Sequence, residues 1–242
     1  MDNQQFLNVV KTSFDSFIAS GTSRSTQKLK PLHGAIARDI YTKLRQDERY
    51  GRGFSIKSQG FGDDKEGSIQ GRYIDKAVDI TIYHNNRAIG GVAVKFVMQN
   101  YSQNSNNYFE NMLGETANIR CNGIPYFQIF IILDTLPYYN KSKEITKWES
   151  FTEHNVSKYF TLSNDDVNVY YHTPNKTLIF VVHVPSCDGV HDNAGYLQYF
   201  KNTTYNVTRS NNTYRQFGPS VIYNDYENFI EKVYHTILSQ MP

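Results

Sequence analysis

Two charged side chains interrupt apolar, β-type segments of this chain: Asp79 within Val78-Asp79-Ile80-Thr81-Ile82 and Lys95 within Val92-Ala93-Val94-Lys95-Phe96-Val97. Side chains alternate across a strand, so Asp79 faces away from Val78 and Ile80, and Lys95 away from Val94 and Phe96. His84-Asn85-Asn86-Arg87 reads as a hairpin turn between the two segments, which lets a carboxylate and an ammonium meet on adjacent strands. On an open sheet face such a pair contributes little. Three features favour chemistry instead. The strands are otherwise apolar, the polar run from Gln99 to Asn107 offers amides able to contact phosphates or bases, and Phe127 to Leu133 buries the sheet behind them.

The elements that must hold these groups follow from periodicity. Phe6, Val9, Val10, Phe14 and Phe17 recur at helical spacing, and Ile36, Ile40, Tyr41 and Leu44 predict a second helix after Pro31. Phe54–Ser58 predicts a short strand, Gly60 to Gly67 a loop, Tyr73–Tyr83 a longer strand, and Ile89–Val97 its return. Tyr108–Arg120 predicts a helix with an apolar stripe of Phe109, Met112, Leu113, Thr116 and Ala117, and Glu110 is presented beside that stripe. The nearly continuous apolar run Tyr126–Leu133 predicts a strand covered on both faces. Beyond Asp134 the pattern loosens until a strand at Thr177–Val184 and a closing helix through Tyr226, Phe229, Ile230, Val233, Ile237 and Leu238. Helices flanking a mixed sheet give an α/β (α+β) fold, read as one domain over 1–242 in the absence of a repeat or a linker.

Asp79 followed across a hairpin by Ala93-Val94-Lys95, within an order of helix, three strands, helix and strand, resembles the PD-(D/E)XK nuclease superfamily. The resemblance covers about residues 30–135 and implies a restriction-endonuclease-like core. It implies Mg²⁺-dependent phosphodiester hydrolysis, in which carboxylates hold the ion, the ion lowers the pKa of a bound water, and a lysine orients that water or stabilises developing charge. The motif departs from the pattern at two positions. Val78 stands where proline is usual, and Ala93 stands where the second carboxylate is expected, with no side chain able to bind a cation. Lys95 followed by Gln103, Asn104 and then Glu110 looks like the type II restriction enzymes whose second acid has moved to the adjacent helix. The resemblance thus implies Asp79 and Glu110 as metal ligands, helped by the backbone carbonyl of Val94, and Lys95 as the residue that positions the attacking water. Glu115 is a third candidate. It lies about 140° around the helix from Glu110, so the two cannot share a face, and Glu110 is preferred for its proximity to the strand. Glu66, in the loop before Asp79, is a further candidate for the metal region, although charged Gly/Asp-rich loops usually just face water.

The implied protein is a sequence-specific endonuclease for double-stranded DNA, acting as a homodimer and protected against by a cognate DNA methyltransferase. Its alternatives are a catalytically inactive DNA-binding protein, for which Ala93 is the evidence, and a non-specific or repair nuclease on the same core. DNA-recognition elements are expected at about 99–107, with Gln99, Asn100, Gln103, Asn104 and Asn107, and at about 186–220, with Arg209 and Arg215. Arg suits guanine edges, and Asn or Gln adenine. Lys28 and Lys30 are candidate phosphate contacts.

Composition bounds this reading. The 242 residues carry a net charge of +2, and 39% are hydrophobic and 14% aromatic, enough for a substantial core. No run approaches the roughly 20 apolar residues of a membrane helix. Two cysteines, Cys121 and Cys187, make no disulfide framework, and together with the polar start Met1-Asp2-Asn3-Gln4-Gln5 they point to a reducing cytoplasm. His183, Cys187, Asp188, His191 and Asp192 cluster in sequence without a compact zinc spacing. Neither a nucleotide-binding glycine motif nor a Gly-x-Ser-x-Gly elbow is present.

Overall fold

A computed structural model of the chain describes residues 1–21 and 28–242. Helices α1 (Asn3–Ser20) and α2 (Lys30–Arg45) lead into strand β1 (Phe54–Ser58), the short strands β2 (Gly67–Gln70) and β3 (Asp75–Val78), and the hairpin β4 (Ile80–His84) and β5 (Arg87–Val97). Helix α3 (Tyr101–Arg120) crosses to β6 (Tyr126–Leu133), and the hairpin β7 (Thr135–Tyr139) and β8 (Ile145–Ser150) precedes α4 (Glu153–Ser163) and β9 (Lys176–His183). The chain ends with α5 (Asn193–Asn202), β10 (Thr208–Arg209), β11 (Val221–Tyr223) and α6 (Tyr226–Leu238).

The main sheet runs β1-β4-β5-β6-β9-β10, with β11 also pairing on β9. β1, β4 and β5 are antiparallel neighbours, whereas β5, β6 and β9 run parallel. The fold is therefore α/β, a central mixed sheet flanked by helices, compatible with a restriction-endonuclease-like core. Every residue of β6 is buried, as its unbroken apolar run requires. On one face Phe127 meets Phe229 of α6, and Phe180 of β9 meets Phe6 of α1. On the other, Phe130 packs with Tyr101 of α3 and with Phe151 and Tyr159. None of the helices among the described residues is long and apolar enough to cross a membrane.

Three sequence expectations need correction. The strand expected over Tyr73–Tyr83 is broken at Asp79: β3 pairs with β2 in a separate two-stranded sheet, and the chain bends at Asp79 before β4 joins the main sheet. Alternation continues through the bend, so the pattern of side chains gives no sign of it. Helix α3 starts at Tyr101 rather than Tyr108, so most of the polar run 99–107 is helical; Asn and Ser have weak helix propensity, and tertiary contacts override it. The stretch beyond Asp134 holds the β7–β8 hairpin and α4, and the loop expected at 186–220 contains α5.

Helix α2 is fastened to the turn after β1 by a backbone-to-backbone approach. A Cβ built on Gly34 would lie 2.3 Å from the Gly60 carbonyl oxygen, and one on Gly60, whose φ is +76°, would lie 2.4 Å from the Lys30 carbonyl oxygen. Only glycine fits at either place. The contact is reinforced by Lys30, which pairs with Asp64, and by the Gly60 amide, which donates to Asp64 Oδ1 at 2.6 Å. We expect Gly34→Ala to lower stability by about 1–3 kcal/mol in urea titrations, because neither backbone can yield. Gly114→Ala, in α3 with open space around it, should be neutral or stabilising by up to about 1 kcal/mol. Equal urea midpoints for the two variants would contradict this picture.

Candidate active site

The bend at Asp79 turns its carboxylate toward β5 instead of into the sheet ladder. Asp79 Oδ2 accepts a hydrogen bond from the Val94 amide at 2.7 Å, which anchors it beside the Ala93-Val94-Lys95 segment. β5 and β6 pair in register with Ala93 opposite Gln128 and Lys95 opposite Phe130. All four line a cleft of about 340 Å³ together with Asp79, Leu29, Tyr108, Asn111, Glu115 and Tyr159. The Lys95 ammonium lies 4.3 Å from the centroid of the Tyr108 ring, a cation–π contact that holds its long side chain along α3. Asp79 and Lys95 are thus brought together, as their alternation predicts.

The α3 glutamate that lines the cleft is Glu115, and Glu110 is not among the lining residues. Tyr108, Asn111, Met112 and Glu115 follow the i, i+3, i+4, i+7 rule and face the cleft. Glu110 is exposed, and the charge it acts on is Lys158 of α4. Both glutamates border the apolar stripe of the helix, on opposite edges. Helical periodicity alone does not say which edge turns toward Lys95, and the docking of α3 against β6 decides it. Glu115 is held by Lys76 of β3 at 2.5 Å and by the hydroxyl of Tyr126, which donates to Oε2 at 3.3 Å.

A second group of ligand atoms lies on the α2 side of Asp79. His33, in the first turns of α2, Glu66, before β2, and Asp79 each offer a donor atom within 4.8 Å of the others. The His33 side chain is 5% exposed, and its Nδ1 is 4.0 Å from Asp79 Oδ1, beyond hydrogen-bond reach. Neither ring nitrogen has a hydrogen-bond partner among the described residues. A buried polar group left in this way costs about 1–3 kcal/mol. His33, a lone histidine beside an apolar helix face, carries no spacing signal in the sequence. Gln128 was hidden within an otherwise apolar strand.

The other expected contacts are dispersed. Asn100 is committed to structure, its amide bonding both Tyr139 backbone groups. Asn104 donates to the Asn100 carbonyl, whereas Gln103 and Asn107 are exposed on α3 and Gln99 is half-buried before it. Arg209 lies on β10 and bonds the Asn224 carbonyl at 3.4 Å. Arg215 pairs with Glu153 at 3.1 Å and stacks on Phe160, at the outer side of α4. Lys30 is engaged by Asp64. Lys28 is buried rather than a surface contact, and burial, with Lys95 nearby, pulls its pKa down to about 8. His183 contacts Asp134 at 3.1 Å, remote from the cleft lining, and burial pushes the Cys187 thiol up to about 12.

Burial dominates the electrostatics of the site. Asp79 is pushed up to about 6 by loss of water, opposed by the Val94 hydrogen bond, reinforced by Glu115 and opposed again by Lys95 and Lys76. Burial likewise pulls His33 down to about 4, with Glu66 opposing, and lowers Lys95, with Asp79 and Glu115 opposing. Comparison with known proteins finds no family model, no curated protein and no solved structure that matches this chain.

The shift of Asp79 has a measurable sign. Its carboxyl titrates near 3.8 when unfolded and near 6 when folded, so the native state binds more protons in that window and loses stability as pH rises through it. His33, titrating near 6.5 unfolded and 4 folded, acts in the opposite sense. Asp79→Asn removes only the first contribution. In EDTA its stability relative to wild type should grow between pH 4 and pH 7 to a plateau on the order of 3 kcal/mol. A difference that does not change with pH in chemical denaturation would contradict a raised pKa at the half-buried Asp79.

Proposed function

We propose that this protein is a Mg²⁺-dependent endonuclease acting on double-stranded DNA, of the type II restriction class. The observation that carries the reading is that Asp79, Lys95 and Glu115 line a single cleft, with an alanine at the strand position where an acid is expected. Asp79 and Glu115, reached from two different elements, supply the pair of carboxylates that a hard cation needs, so the residues fit the ion. Bound there, Mg²⁺ would acidify a water and offset phosphate charge.

The remaining work falls to the chain itself. Lys95 presents an ammonium to the scissile phosphate or the attacking water, and its contact with Tyr108 limits where that charge can go. Lys28, buried and near enough to Lys95 to lower its own pKa, adds a second positive charge behind the cleft. Phosphate is recognised best by groups already held in place and withdrawn from water. Asn111 and Gln128 line the cleft with amides that can bond phosphate oxygens or sugars. Cutting both strands at one site calls for two such clefts, hence a homodimer, and a companion methyltransferase would protect host DNA.

Glu115 also bears on the alternative of an inactive DNA-binding protein. The case for it rested on the missing acid at Ala93, and an acid from α3 lines the same cleft.

The test is cleavage of unmethylated plasmid and genomic DNA with Mg²⁺, and binding with Ca²⁺. Discrete fragments are expected. Lys95→Ala and Glu115→Gln should each slow cutting by about 10²-fold or more, and Glu110→Gln by less than about twofold. Specific binding without cutting would move the reading to the inactive protein, random degradation to a non-specific nuclease, and neither binding nor cutting would reject it. Loss of cutting in Glu110→Gln but not in Glu115→Gln would overturn the assignment of the second acid.

A further inference from the structure

Asp79 has two carboxylate oxygens in different surroundings. Oδ2 is taken by the Val94 amide, whereas Oδ1 is turned toward His33 and Glu66. Glu66 Oε1 accepts a hydrogen bond from Gln59 at 2.8 Å, which orients the carboxylate and leaves its second oxygen available. His33 contributes an imidazole almost wholly removed from water, with neither nitrogen bonded to any described residue. A buried imidazole beside two carboxylates, with no hydrogen bond to either, is an arrangement that an ion completes.

The spacing suits one cation. Donors on a single ion at about 2.1 Å lie about 3 Å apart in neighbouring positions and about 4 Å apart in opposite ones. The three donor atoms here lie within 4.8 Å of one another, so small side-chain rotations close the site. The backbone that carries two of them is already in place, because the Gly34–Gly60 contact and the Lys30–Asp64 pair fix the first turns of α2 against the loop that leads to Glu66.

We propose that His33, Glu66 and Asp79 form a binding site for a divalent transition-metal ion, of the manganese, cobalt or zinc kind, distinct from a Mg²⁺ position between Asp79 and Glu115. The nitrogen donor sets the class: imidazole suits borderline ions, whereas Mg²⁺ prefers oxygen ligands and keeps much of its water. The site shares Asp79 with the nuclease reading and depends on no step of it.

The experiment is titration of the full chain, stripped with EDTA, with Co²⁺ followed by its visible d–d absorption, and with Mn²⁺ and Mg²⁺ followed by calorimetry. Wild type should bind Co²⁺ and Mn²⁺ with an affinity at least about tenfold above that for Mg²⁺, and Co²⁺ should show the spectrum of a nitrogen-containing site. Glu66→Gln and His33→Gln should each weaken Co²⁺ binding by about tenfold or more, with Glu115→Gln close to wild type. Circular dichroism identifies any variant that fails to fold; Glu66, half-buried in a loop, is the substitution least coupled to the core. Absence of Co²⁺ binding in wild type, or equal affinity in wild type and the folded Glu66→Gln variant, would overturn the proposal. The nuclease reading is separable: metal binding at these residues without any action on DNA supports the site and removes the nuclease, and DNA cleavage with unaltered Co²⁺ affinity in the variants does the reverse.

Discussion

A carboxylate withdrawn from water must be met by hydrogen bonds or by positive charge, and the arrangement around Asp79 follows from that requirement. The bend between β3 and β4 takes its side chain out of the ladder, the Val94 amide donates a hydrogen bond to it from β5, and Lys95 and Lys76 bring positive charge. These groups do not fully offset the lost hydration, since the carboxyl remains pushed up to about 6. A further cation beside the carboxylate would offset the remainder, and the other functional candidates are positioned around it. β5 brings Lys95, α3 brings Glu115, and α2 with its facing loop brings His33 and Glu66.

The scaffold makes this possible by burying the sheet from both sides. β6, with no exposed residue, fixes the register of β5 and hence the positions of Ala93 and Lys95 over Gln128 and Phe130. The aromatic packing of Tyr101, Phe130, Phe151 and Tyr159 holds the start of α3 over the sheet, and its pitch then sets which glutamate reaches the cleft. Glycine does the equivalent work on the opposite side, where α2 and the turn after β1 touch through their backbones.

Much of this was legible in the order of residues. Alternation predicted that Asp79 and Lys95 share a face, although Asp79 reaches it from a bend rather than from a strand, and the unbroken apolar run predicted the buried β6. What periodicity could not supply was tertiary choice. Glu110 and Glu115 flank the same stripe, and the sequence contains no term for which flank meets β5. His33 and Glu66 come from separate elements whose meeting depends on a contact between two glycines, and no local pattern marks it. The amides of 99–107, expected to precede the helix, sit largely on α3, and Asn100 at its start serves the β7 strand instead of a ligand.

If the Asp79 carboxylate anchors a divalent cation as proposed, the ion must lie against one of its oxygens. Anomalous diffraction from crystals grown with Mn²⁺ tests it most directly, because it locates the ion without reference to activity. A peak is expected about 2.2 Å from an Asp79 oxygen. Crystals at neutral pH and millimolar Mn²⁺ with no peak within reach of Asp79, or with the ion bound only elsewhere, would contradict it.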